Sequence, residues 1–173
     1  MIETEILLYI TTEDVLSLMK KMYYSVPRIY HTKKPFDIID ITDDIKQYIT
    51  ESGGRNGLCS IFTRHTTAVI KINEAEDGFR NDLRQWCNKN VSLDEVYKHN
   101  DLEHRDPKTM CENKEECLNG HSHIRAMLMG NTSETIPVQD GELLLGRWQR
   151  VLLFELDHAR EREIIFSYIW DEK

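Results

Sequence analysis

This sequence of 173 residues has few cysteines and prolines, no long hydrophobic run and no surplus of basic charge. It contains no apolar run of about 18 residues, so no membrane-spanning helix is expected. Its first residues, MIETEILLYITTED, are acidic and lack the basic segment of a secretory signal peptide. The formal net charge of −8 argues against a nucleic-acid or anionic-membrane surface. We therefore expect a cytoplasmic protein with neither kind of partner.

The sequence also lacks several well-known site motifs. It has no glycine-rich phosphate loop, no Gly-x-Ser-x-Gly and no His-Glu-x-x-His. Two of its four cysteines, Cys111 and Cys117, are six positions apart, which is longer than the spacing of about two to four residues in a zinc knuckle. A cytoplasmic chain keeps such thiols reduced. A structural zinc site and a cysteine nucleophile are therefore not expected.

What is present predicts one domain over residues 1–173, with an α+β fold. Apolar spacing near 3.6 residues predicts helices at about 13–25, 43–52, 75–90 and 119–129. Short β-prone segments predict strands at about 3–10, 36–41, 58–64, 68–73, 134–138, 149–156 and 163–170. A polar segment at 92–118 shows little periodicity, and a segment of that length inside a domain is either functional or disordered.

Four histidines lie in polar, turn-like contexts beside small or acidic residues: His65, His99, His121 and His123. Histidine is the commonest metal ligand and titrates near neutral pH, so the four predict a shared metal site or acid–base site. Asp101 follows His99 by two positions and could orient an imidazole. The alternative is that these side chains only hydrogen-bond the loops that carry them.

A second group lies near the end of the chain, where a hairpin returns to the core. Arg147 and Arg150 could grip a phosphate group, because guanidinium matches phosphate in a bidentate way. Gln149 and the hydroxyl of Ser133 could add hydrogen bonds to the same substrate. The alternative is that Trp148 fills the core while the arginines form salt bridges outside it.

Five blocks of sequence, in order, resemble the YjbQ-like family of secondary thiamine-phosphate synthases. The blocks are DITDDI (40–45), FTRHTTAVIKINE (62–74), HND (99–101), NGHSHIRAMLMG (119–130) and PVQDGELLLGRWQRVLLFELD (137–157). The sequence departs from the family pattern at Arg147, where the family often has threonine. It also has a longer N-terminal segment, an extra helical piece at about 12–35.

The resemblance implies an antiparallel sheet curved into a half-barrel or sandwich, with helices packed on it, and a homotrimer. It implies a divalent metal, zinc or magnesium, held by His65, His99, His121 and His123. The implied reaction joins hydroxymethylpyrimidine diphosphate to thiazole phosphate and releases pyrophosphate. Catalysis would then fall to His65, Asp101 and His123, and binding of the small phosphorylated substrate to Ser133, Arg147, Gln149 and Arg150.

Two other functions fit the same residues. One is metal-dependent hydrolysis of a small phosphate or other ester, in which a metal activates water. The other is a trimeric protein that binds an anion or a metal without turning anything over.

Overall fold

The computed structural model describes residues 21–171, which form two antiparallel sheets and three helices. The strands are β1 (Lys21–His31), β2 (Ile38–Asp40), β3 (Gly57–Thr63), β4 (Ala68–Asn73), β5 (Ser133–Gln139), β6 (Glu142–Leu143), β7 (Arg150–Glu155) and β8 (Glu161–Asp171). The helices are α1 (Thr42–Ser52), α2 (Asp77–Asn90) and α3 (Gly120–Met129). None of these helices is long and apolar enough to cross a bilayer.

The larger sheet has five strands in the order β1-β8-β3-β5-β6 and curls into a half-barrel. The smaller sheet has the order β2-β7-β4. Its central strand, β7, is buried on both faces, which explains its nearly continuous apolar sequence. Val151 and Leu153 face the core between the half-barrel and α1, whereas Leu152 and Phe154 face the core shared with α2 and α3. The α+β class and the curved antiparallel sheet are confirmed.

The N-terminal helix predicted at 13–25 is wrong where it can be compared. Residues 21–31 form strand β1, which pairs with β8 along its whole length. Tyr24, Val26 and Tyr30 pack on the core, and they lie on the same face of the strand because their positions differ by even numbers. The same segment also fitted a helical spacing, which led to the wrong prediction. Pro27 is tolerated because β1 lies at the sheet edge. The strand predicted at 3–10 and the first part of the helix lie outside the described residues.

The polar segment between α2 and α3 is ordered by three short 3-10 turns, Lys98–Asn100, Pro107–Thr109 and Lys114–Cys117. Each turn is too short to bury much apolar surface. Cys111 and Cys117 form a disulfide here, with a Cα–Cα distance of 6.1 Å. The expectation that these thiols are reduced is therefore not met in this structure.

A buried ion pair joins the ends of the two sheets. Glu155 of β7 and Arg162 of β8 are 0% and 3% exposed, and Arg162 donates to both carboxylate oxygens. The Thr32 hydroxyl donates to Glu155 at 2.9 Å, and Arg162 also donates to the Thr67 hydroxyl at 3.1 Å. Glu155 accepts a further bond from the amide of Asp157. Each charged group thus makes several hydrogen bonds, which is the condition under which a buried pair persists.

Replacing one member of this pair is expected to leave an uncompensated charge in the core. Glu155→Gln should lower the free energy of unfolding by about 3–5 kcal/mol. Chemical denaturation measures the change. The control is Arg55→Gln, which removes an exposed pair with Asp140 and should cost less than about 1 kcal/mol. Equal effects of the two substitutions would contradict the structural role assigned to Glu155.

Candidate functional site

A cavity of about 390 Å³ opens where the strand ends meet the polar segment. The loop from β3 to β4 lines it with four consecutive residues, Arg64, His65, Thr66 and Thr67. The polar segment and the start of α3 supply His99, Arg105, Thr109, Cys111, Glu116, Cys117, Asn119 and His123. The turn from β7 to β8 supplies Asp157 and Arg160, and the start of β8 supplies Arg162. Its volume is within the range of small-molecule sites.

The cavity is basic although the protein is acidic. Four arginines line it, against two carboxylates, Glu116 and Asp157. Arg160 bonds both of these acids, at 2.6 Å to Glu116 and 3.1 Å to Asp157. Arg64, in contrast, is mostly exposed and lies 3.6 Å from Glu163. Arg64 is therefore the guanidinium with most freedom to meet a ligand.

His65 presents a hydrogen-bond donor to this cavity. Its Nε2 accepts a 3.1 Å bond from the backbone amide of Glu163, which can only donate. The proton of the neutral ring must then sit on Nδ1, which has no partner among residues 21–171. Burial, assisted by the nearby charge of Arg162, lowers the pKa of His65, so the neutral form prevails at neutral pH.

His99 Nε2 lies between two groups that favour opposite tautomers. The carboxylate of Asp157, an acceptor only, accepts a hydrogen bond from the amide Nδ2 of Asn119 at 2.9 Å, which turns the Asn119 Oδ1 toward His99 Nε2, 3.1 Å away. That oxygen accepts only, so it favours a proton on Nε2. Arg105 Nη1 also lies 3.1 Å from Nε2 and can only donate, so it favours a lone pair there and the proton on Nδ1. The same Nη1 lies 3.3 Å from the His99 carbonyl.

Asp157 orients Asn119 as an anion. Burial acts to raise its pKa, but the hydrogen bonds from Asn119 and from the backbone amide of His158, together with the positive charge of Arg160, outweigh burial and lower it. The ionised carboxylate accepts only, so it keeps the Asn119 amide in one orientation. The atom that Asn119 presents to His99 then depends on a carboxylate that His99 does not touch.

The other two predicted histidines have different surroundings. His123 lies beside His99, with ring centroids 4.5 Å apart, and burial together with this neighbour lowers its pKa. His121 is buried and bonds the Ser122 hydroxyl, which itself donates to the Leu156 carbonyl. His121 does not line the cavity, and it serves to hold the first turn of α3 against the end of β7.

The donor atoms do not fit the expected metal centre. Among residues 21–171, no three His, Cys, Asp or Glu side chains converge as ligands. The lone pair of His65 Nε2 is already used by a backbone amide, and His121 faces a serine. Only His99 and His123 remain close together, which is one ligand fewer than a zinc site requires. We therefore assign no step to a metal.

The remaining predicted site residues lie outside the cavity. Asp101 bonds His104 at 3.0 Å, and that bond lowers the pKa of its carboxyl. Arg150 bonds Asp40 and Asp43 at the far end of β7, about 17 Å from Glu155 at the strand rise. Arg147 stacks on the exposed Trp148 ring rather than on a core aromatic.

Gln149 and Ser133 also lie elsewhere. The Gln149 side chain accepts from the Gly146 amide and closes the turn before β7. Ser133 begins β5, opposite Phe62. The structure therefore does not bring Ser133, Arg147, Gln149 or Arg150 to the histidines.

The charged residues that line the cavity in their place were not predicted as site residues from the sequence. Arg64 precedes His65 directly, so the motif RHTTA already contained the signal. Arg105 and Glu116 belong to the aperiodic segment, where no pattern separates a site residue from a solvated charge. Arg160 and Arg162 follow β7 in a run that reads as an ordinary charged turn.

The sequence matches a known protein family. A family model described as UPF0047 protein YjbQ-like matches residues 28–171. The chain belongs to the YjbQ/UPF0047 family. A UPF0047 protein of Archaeoglobus fulgidus is 37% identical over 134 residues, which cover 78% of this chain and 92% of that protein. One from Bacillus subtilis is 32% identical, covering 76% and 88%.

Solved structures of YjbQ-like proteins agree with the fold. A protein of unknown function from Sulfolobus solfataricus, described as YbjQ-like, superposes with a TM-score of 0.75 at 31% identity, covering 87% of this chain and 99% of that chain. A family member from Clostridium acetobutylicum gives a TM-score of 0.68 at 32% identity, covering 83% and 98%. These descriptions name the family and no reaction, so the activity stays a prediction.

The tautomers of His65 and His99 can be measured directly. Long-range ¹H–¹⁵N correlation spectra above pH 7 should show His65 with its proton on Nδ1. Asn119→Ala removes the acceptor at His99 Nε2 and should raise the share of the Nδ1–H tautomer of His99, whereas Arg105→Ala removes the donor there and should raise the share of the Nε2–H tautomer. His65 should be unchanged in both variants. A His99 signal that responds to neither substitution would contradict these two contacts.

Proposed function

We propose that the cavity binds a small phosphorylated substrate and that the protein is a transferase that displaces pyrophosphate from it. The observation that carries this proposal is the convergence of four arginines and three histidines on one cavity in a protein of net charge −8. Carboxylates pair with Arg160 and Arg162, so Arg64 and Arg105 are the guanidinium groups that favour an anionic ligand, since arginine pairs with phosphate oxygens in a bidentate way.

Two side chains are placed to take the phosphate oxygens. Within the described part of the chain, Arg64 makes a 3.6 Å contact with Glu163, and the Nδ1–H of His65 has no partner. The hydroxyls of Thr66 and Thr67 lie next to them on the same loop. Together they form a row of donors on one rigid connection between two strands. Preorganised donors of this kind stabilise the negative charge that develops on a leaving phosphate.

The reaction implied by the family resemblance suits these groups. The bond from the pyrimidine methylene carbon to oxygen breaks, and its electron pair leaves on pyrophosphate. The same carbon then bonds the thiazole ring nitrogen. Arg64 and His65 would neutralise the leaving group, while the cavity holds both substrates in line. Secondary thiamine-phosphate synthesis is therefore the first reaction to test.

His99 favours one alternative. In the tautomer that Asn119 favours, the Nδ1 lone pair of His99 could accept a proton from water and so support hydrolysis of a phosphate ester. His123, 4.5 Å away by ring centroids, would share the charge of the protonated pair. The two reactions differ in what they need, because hydrolysis requires one organic substrate and the synthase requires two.

Binding of inorganic pyrophosphate tests the anion cavity without assuming a reaction. Arg64→Gln should weaken binding about tenfold or more in calorimetry, the loss expected for one charged hydrogen bond. The matched control is Arg147→Gln, which removes the same charge from outside the cavity and should leave the affinity unchanged. If Arg147→Gln weakened pyrophosphate binding more than Arg64→Gln does, the substrate would bind at the hairpin that carries Arg147.

The product distinguishes the reactions. With hydroxymethylpyrimidine diphosphate and thiazole phosphate together, thiamine phosphate and pyrophosphate should appear in equal amounts, and His65→Ala should abolish both. Release of inorganic phosphate from either substrate alone would instead identify a hydrolase. Pyrophosphate binding with no product from any substrate would show a binding protein and contradict the proposed transferase.

A further inference from the structure

One wall of the cavity is a short loop closed by the disulfide between Cys111 and Cys117. Both cysteines line the cavity. Cys117 is buried, whereas Cys111 is exposed to solvent. Nothing in the proposed reaction uses either sulfur atom, so the disulfide requires another account.

The loop places a carboxylate on a cavity arginine. Glu116, next to Cys117, accepts a 2.6 Å bond from Arg160 Nη1 through its side chain, and its carbonyl accepts a 3.3 Å bond from Nη2. Arg160 also bonds Asp157. With both acids engaged, the guanidinium is neutralised locally and offers little to an incoming phosphate.

The ion pair alone would not hold Glu116 there firmly. The Glu116 side chain is 41% exposed, and pairs at such exposure are weak because water screens them and both side chains lose freedom. The loop contains one 3-10 turn, Lys114–Cys117, whose only buried residue is Cys117, and none of the four residues belongs to either core cluster. The disulfide closes this loop covalently and so restrains the position of the adjacent Glu116.

We propose that Glu116 is a specificity-determining residue that blocks Arg160 from anionic ligands while the Cys111–Cys117 disulfide is intact, and that reduction by a dithiol unblocks it. The proposal rests on the anion cavity proposed above and adds its regulation. In the oxidised protein the carboxylate competes with a ligand phosphate for the Arg160 guanidinium. In the reduced protein the loop relaxes, Glu116 leaves, and Arg160 joins Arg64 as a phosphate contact.

The redox step is ordinary thiol–disulfide exchange. A thiolate of the dithiol attacks the exposed Cys111 sulfur, and Cys117 leaves as a thiolate. The second thiol of the reductant then attacks the mixed disulfide and releases Cys111. The protein gains two electrons and two protons, and the dithiol becomes a disulfide.

The test compares pyrophosphate affinities by calorimetry in the oxidised and the dithiol-reduced protein. Reduction of the wild type should strengthen binding about tenfold, the gain expected for one charged hydrogen bond. Oxidised Glu116→Gln should already bind that tightly, and its reduction should add little. Oxidised Glu115→Gln is the control, because it removes an equal charge from the adjacent residue and should bind like the oxidised wild type.

Cys111→Ser supplies a second route to the open loop and should bind like the reduced wild type without any reductant. Mass spectrometry after alkylation should find two free thiols in the oxidised protein, Cys59 and Cys87, and four after reduction. Equal affinities of the oxidised and reduced wild type, with clear binding in both, would overturn the inference and leave the anion cavity standing. No binding in any form, Glu116→Gln included, would overturn both.

Discussion

The buried Glu155–Arg162 ion pair is the interaction on which the rest of the structure depends. It joins the end of β7, in the small sheet, to the start of β8, in the half-barrel. Glu155 also accepts hydrogen bonds from Thr32 and from the amide of Asp157, and Arg162 donates to Thr67. A hydrophobic pair could join the strands as well, but it could not orient polar loops. Thr67, Asp157 and Arg162 all line the cavity. The ion pair that joins the two sheets therefore also positions residues of the site.

The two histidines of this cavity differ in how their tautomers are set. The Glu163 amide puts the proton of neutral His65 on Nδ1, so this ring offers a donor. At His99 the Asp157–Asn119 pair favours a proton on Nε2, whereas Arg105 favours a proton on Nδ1. The tautomer of His99 therefore depends on which of two neighbouring side chains its Nε2 bonds.

Local patterns predicted most of this fold, because its strands and helices are amphipathic at the expected periods. Strand β4 was predicted at 68–73 and lies there. Strand β1 was missed because a distant partner, β8, decides its conformation. Likewise, Arg147 and Arg150 were predicted to bind the phosphate of a substrate held at the histidine site. In the structure Arg150 instead forms hydrogen bonds with Asp40 and Asp43. Arg105 and Arg160 come together only in three dimensions, so spacing along the chain could not identify them.

The cavity joins two kinds of structure, and this division explains its chemistry. One side is the β3–β4 loop and the start of β8, which are anchored in the sheets and supply Arg64, His65 and Arg162. The other side is the irregular segment that carries Arg105, Glu116 and the disulfide, with little core beneath it. A rigid half suits groups that must meet a transition state in fixed geometry. A loosely supported half suits groups that change position, since local opening there costs little. The proposed binding and its proposed control therefore meet in one cavity, at Arg160.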